Sequence, residues 1–155
     1  MTSHHAYDVA VAYRIYPGVS RPALGLPFSD DKYRLSEACL RSFKESLGTL
    51  RAKVWAILDG CPPEYGELFR SYFAESDLEL VFCDAVGNQA TFARQVDTLL
   101  AQEDAPLVYF AEDDYFYLPD KFCLMVDFLN AQPARMAIVR QIPATETYDS
   151  VIPGQ

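Results

Sequence analysis

The sequence Leu107-Val108-Tyr109-Phe110-Ala111-Glu112-Asp113-Asp114 runs from five apolar residues straight into three carboxylates. So short an apolar run fits a buried strand better than a helix. A strand ending in Glu112, Asp113 and Asp114 brings like charges together where water is scarce. Their repulsion raises carboxylate pKa values and costs stability unless a positive charge intervenes. A hard divalent cation, Mg²⁺ or Mn²⁺, takes oxygen ligands and would relieve it, with phosphate and water completing its shell. The alternative is a solvated acidic turn that caps the next helix, and the triplet by itself leaves both readings open.

Working outward, apolar runs alternate with runs of helical period. Residues 8–16 read as the first strand, stopped by Pro17 and Gly18. A loop over 19–29, broken by Pro22, Gly25 and Pro27, is long for a strand-to-helix connection and suggests a binding loop. Ser29, Asp30 or Asp31 can cap a first helix that reaches about Leu47, with Leu40, Phe43 and Leu47 on one face. Residues 53–58 form a second strand ending at Asp59-Gly60, and Pro62-Pro63 opens a helix whose apolar face is Tyr65, Leu68, Phe69, Tyr72 and Phe73. A third strand spans 78–83. Asn88 can cap a third helix with Phe92, Val96, Leu99 and Leu100 as its predicted buried face. The fourth strand spans 107–111, and a fourth helix runs from Lys121 to about Asn130. A short strand is possible at 136–139, and 141–155 has no clear period.

This β-α-β-α order predicts an α/β fold, with a mostly parallel sheet and helices on both faces. The chain has 155 residues, of which 50% are hydrophobic, enough for one domain with one sizeable core. No apolar run is long enough to span a bilayer, and the N-terminus lacks the pattern of a secretory signal. The net charge of -9 argues against a nucleic-acid surface, though not against a nucleotide ligand. Cys39, Cys61, Cys83 and Cys123 lack zinc or redox spacing and are expected to be reduced, mostly core, in a cytoplasmic protein. His4 and His5 lie together near the N-terminus, so chemistry must rest on carboxylates, tyrosines, arginines and backbone.

In open parallel sheets, ligands sit beyond the carboxyl ends of the strands, where strand order reverses. Those ends deliver Tyr13, Arg14 and Tyr16, then Asp59, then Asp84, then the acidic triplet with Tyr115. Asp59-Gly60 is either a structural turn or a hydrogen-bonding partner for a base or ribose. Arg94 is either a solvated surface arginine or a partner for the triplet or a phosphate. The tyrosines could stack on a base or sugar, or simply pack. No glycine-rich phosphate loop follows the first strand, which weakens dinucleotide-binding and P-loop readings.

Asp-Gly after the second strand, Glu112-Asp113-Asp114 after the fourth, and the segment from Gly87 to Arg94 together resemble the GT-A fold of family 2-like glycosyltransferases. The resemblance covers residues 7–130. It implies a sheet ordered 3-2-1-4, a nucleotide-diphosphate sugar donor and a bound Mn²⁺ or Mg²⁺. It also implies that Tyr13, Arg14, Tyr16, Asp59 and Arg94 lie about the nucleotide. Glu112 and Asp113 would face ribose or diphosphate. Asp114, with Asp113 beside it, would ligate the metal. Family members usually continue into an acceptor-binding part that holds the catalytic base. Asp120 and Asp127 fall too early for that role, so the acceptor and the base stay unassigned. A non-catalytic nucleotide-sugar or partner-binding domain of the same fold is the alternative. A flavodoxin-like phospho-acceptor domain fits poorly, because it would need an acidic pair where Tyr13 and Arg14 stand.

Overall fold

A computed structural model describes residues 5–18 and 31–131. The expected loop at 19–29, the short strand at 136–139 and the 141–155 tail lie outside these residues.

The strands are β1 (Val9–Ile15), β2 (Ala52–Asp59), β3 (Leu78–Cys83) and β4 (Leu107–Glu112), and the helices are α1 (Lys32–Ser46), α2 (Pro63–Tyr72), α3 (Asn88–Ala101) and α4 (Lys121–Asn130). All pairings are parallel, in the order β3-β2-β1-β4. The chain steps outward from β1 to β2 to β3, then returns through α3 to place β4 on the other side of β1. Strand order therefore reverses between β1 and β4.

The alternation of side chains along β1 divides the core. Val9, Val11, Tyr13 and Ile15 face one way and pack with Leu40, Phe43 and Leu47 of the α1 region, Leu68 and Phe69 of α2, and Phe122 and Val126 of α4. Phe43 sits at the centre, edge-on to Tyr13, Tyr117 and Phe122. Each such fully buried side chain contributes about 1.5–3 kcal/mol. Asp31 starts α1 by accepting a hydrogen bond from the Arg34 N–H at 3.1 Å. On the opposite face, Ala10 and Ala12 meet Trp55, Ile57 and Leu99 in a smaller cluster under α3.

Two expectations need correction here. The buried face of α3 is Thr91, Gln95 and Leu99, whereas Phe92 is 50% and Leu100 80% exposed. The sheet beneath α3 presents small alanines and strand carbonyls, so the helix rests on Gln95, whose amide donates to Ala12 O at 2.8 Å and Ala111 O at 3.1 Å. An apolar periodicity search passes over such a residue. Likewise β4 is buried on one face only. It is an edge strand among the described residues, and Val108 and Phe110, on the α3 side, stay 49% and 41% exposed.

Candidate functional site

The strand reversal opens a cavity of about 480 Å³ beyond the carboxyl ends of β1 and β4, a size ordinary for a small-molecule site. Arg14, Ile15 and Tyr16 line it from β1, and Glu112, Asp113 and Asp114 from β4. Asp59 closes the back. Ala85, Gly87, Asn88 and Thr91 form the wall at the start of α3.

The wall is shaped by Asp59. This residue ends β2 and is buried, and its two carboxylate oxygens accept the Val86 N–H at 2.7 Å and the Gly87 N–H at 2.9 Å. Next to it, Gly60 adopts φ +63°, and a Cβ there would stand 3.0 Å from the Ala85 Cβ, so the Asp-Gly pair is fixed by close approach to the loop. Gly87, not Asn88, is the N-terminal cap of α3, with φ +87° and open space where a side chain would project. The first intrahelical bond runs from the Thr91 N–H to Gly87 O. The N–H groups of Asn88, Gln89 and Ala90 are thus left without intrahelical acceptors at the positive end of the helix dipole.

The triplet splits three ways. Glu112 Oε1 receives Arg14 Nη2 at 2.6 Å, and Arg14 also donates to Asn88 O at 3.1 Å. Asp113 Oδ2 receives Lys32 Nζ at 2.8 Å and the Tyr16 N–H at 3.2 Å. Asp114 has neither cation, and its Oδ1 is buried without a hydrogen-bond partner among the described residues. Burial raises the pKa of Asp113, opposed by the Lys32 charge and its hydrogen bond. Burial also raises Asp114, reinforced by the charges of Asp113 and Glu112 and opposed by Lys32. The chain itself therefore supplies two of the positive charges that the triplet requires.

Of the residues singled out in the sequence, the cavity gathers Arg14, Tyr16, Asp59, Glu112, Asp113 and Asp114. It does not gather Tyr13 or Arg94. Tyr13 is fully buried between Phe43 and Phe69, at ring distances of 5.7 and 5.3 Å, because odd positions of β1 face α1 and α2. Arg94 is exposed on α3 and is not among the residues that line the cavity. Tyr117 is core, while Tyr16 stands 51% exposed at the rim. Sequence reasoning missed Lys32, which reaches the triplet from the start of α1, and Asn88 and Thr91, whose cavity role follows from where α3 begins. Among the described residues, no three His, Cys, Asp or Glu side chains converge on a common metal position.

No protein-family model and no curated protein matches the sequence. Its fold is similar to a solved structure from Desulfovibrio desulfuricans G20 described as a "putative nucleotide-diphospho-sugar transferase", with a TM-score of 0.50 and 12% identity over 79% of this chain. The chain spans about half of that structure, 54% of its length. The shared feature is the architecture. This is a Rossmann-like α/β fold, with an all-parallel sheet and helices on both faces.

Proposed function

We propose that the cavity binds a nucleotide-diphosphate sugar and that the protein is a glycosyltransferase of the GT-A type, similar to family 2 enzymes. One observation carries this reading: the acidic triplet and the open N-terminus of α3 face the same cavity at the β1–β4 reversal. The first-turn N–H groups of α3, which have no intrahelical acceptors, and the Arg14 guanidinium suit a diphosphate. Tyr16 at the rim offers a ring face for the base. Asp114 suits Mn²⁺ or Mg²⁺, because its buried Oδ1 has no partner among the described residues. A cation held by one carboxylate would complete its shell with donor phosphate and water. Bound there, it would serve as a Lewis acid on the leaving nucleoside diphosphate.

No residue is assigned as catalytic base, and the acceptor is left open. No described helix is long and apolar enough to cross a membrane. The four cysteines are free thiols, as a reducing cytoplasm would keep them, and we take that as the compartment.

Calorimetric titration with UDP and GDP, with and without Mn²⁺, tests the reading. Metal-dependent binding of at least one nucleoside diphosphate is expected, and its absence for both would overturn the proposal. Hydrolysis or transfer of a bound nucleotide sugar would then separate an enzyme from a binding domain of the same fold.

A further inference from the structure

On the reading that this cavity takes a metal-bound nucleoside diphosphate, we propose that Lys32 is a resident cation that withholds Asp113 from the metal. Lys32 is the first residue of α1, and its ammonium lies 2.8 Å from Asp113 Oδ2 with a side chain only 11% exposed. It approaches from the α1 side of the sheet and does not line the cavity, whereas Asp113 does. A charge so enclosed is screened little by solvent, so the pair is not the kind of surface bridge that contributes nothing.

The consequence is a site with one carboxylate to spare. Arg14 holds Glu112, Lys32 holds Asp113, and Asp114 remains. Among the described residues, a divalent cation arriving alone finds a single carboxylate without a cation partner, which is poor ligation for Mn²⁺ or Mg²⁺. A cation arriving with a diphosphate brings oxygen ligands with it and needs no more than that carboxylate. Lys32 therefore couples metal binding to donor binding. Without it, Asp113 and Asp114 would form an adjacent pair of carboxylates able to hold a metal unaided.

The experiment measures Mn²⁺ binding without nucleotide, by the loss of the free-ion electron paramagnetic resonance signal. It compares the unmodified protein with Lys32→Met, Lys32→Gln and Lys32→Arg. The unmodified protein and the Arg variant should bind Mn²⁺ weakly. The Met and Gln variants should bind it about tenfold tighter or more, because the positive charge 2.8 Å from Asp113 Oδ2 is gone. Adding Asp113→Asn to Lys32→Met should abolish the gain. A folded Met or Gln variant that binds Mn²⁺ no tighter than the unmodified protein overturns the proposal. Tight Mn²⁺ binding by the unmodified protein alone also overturns it, whether or not the variants fold. If the Lys32 variants gain Mn²⁺ binding while no nucleoside diphosphate binds under any condition, the Lys32 assignment stands and the nucleotide reading fails.

Discussion

Replacing Asp59 by Asn separates two roles for this residue. Its carboxylate is buried and accepts from the N–H groups of Val86 and Gly87 at 2.7 and 2.9 Å. Those residues follow Ala85, which holds φ +51°, a backbone conformation that a loop keeps only when its surroundings fix it. Asparagine retains one acceptor oxygen and turns an amide donor toward the other N–H. A hydrogen bond to a charged group is worth about 1.5–3 kcal/mol, and a buried donor left without an acceptor costs a similar amount. With some relaxation of the loop, a loss of about 2–3 kcal/mol is expected. For a chain of this size that lowers the melting temperature by roughly 4–12 °C. Circular dichroism melts give the stability, and hydrogen exchange at the Val86 and Gly87 amides gives its location, with faster exchange expected at both. If the melting temperature and those two exchange rates stay unchanged while UDP affinity falls, Asp59 contacts the nucleotide directly and does not hold the wall. That result would refute the assignment.

Other perturbations follow from single contacts. Tyr13→Phe removes a buried hydroxyl that has no partner among the described residues, so stability should hold or rise by about 1 kcal/mol, with UDP affinity unchanged. Gln95→Leu removes the two bonds that tie α3 to β1 and β4, and should cost about 2–3 kcal/mol in urea denaturation. Asp114→Asn takes one like charge from a crowded cluster, so the melting temperature at neutral pH should rise while metal-dependent nucleotide binding is lost. Cys61 is pushed up to about 12, first by burial and then by the charges of Asp113 and Asp59. Its thiolate is therefore scarce at pH 8, and iodoacetamide should label it roughly a hundredfold or more slower than in the unfolded chain, the native rate climbing as pH rises toward that value.

Most of the fold was legible because its elements carry strong local signals. Strands two to four and the helix starts at Asp31 and Pro63 fall where apolar runs, caps and prolines put them. The order β3-β2-β1-β4 came from the resemblance, since no periodicity reveals which edge β4 joins. What escaped has a common cause. Hydrophobic pattern marks burial by apolar side chains, whereas α3 is seated by a glutamine that bonds strand carbonyls. The rim of β4 is apolar and yet exposed. The site was legible at its strand ends because topology dictates which residues arrive there, which yielded Arg14, Tyr16, Asp59 and the triplet. Tyr13 was assigned to the same place as a residue near the end of the first strand, but neighbours on a strand face opposite ways, and Tyr13 faces the core.

Charge compensation is the part of the site that sequence spacing conceals most. The triplet required positive charge, and the cations that meet it stand far away in sequence, Arg14 within β1 and Lys32 at the head of α1. Topology makes the pairing specific. Arg14 and Glu112 are register partners in adjacent parallel strands, so a long side chain at one reaches the other across the sheet. Lys32 heads the helix that packs on the face shared by Tyr13 and Ile15, so it meets the next carboxylate, Asp113, from that side. Asp114 is one residue farther along and finds neither. Among the described residues, the carboxylate without a cation partner is thus the one farthest along the chain from the end of β4, and it lines the same cavity as the start of α3. A fold that neutralised all three carboxylates would be more stable and would leave no ligand for a cation. A buried carboxylate oxygen with no partner among the described residues is a local conflict, and such conflicts mark functional sites when the rest of the fold is consistent. That conflict, more than the count of acidic residues, is the physical ground for the proposal that this cavity takes a diphosphate and a metal.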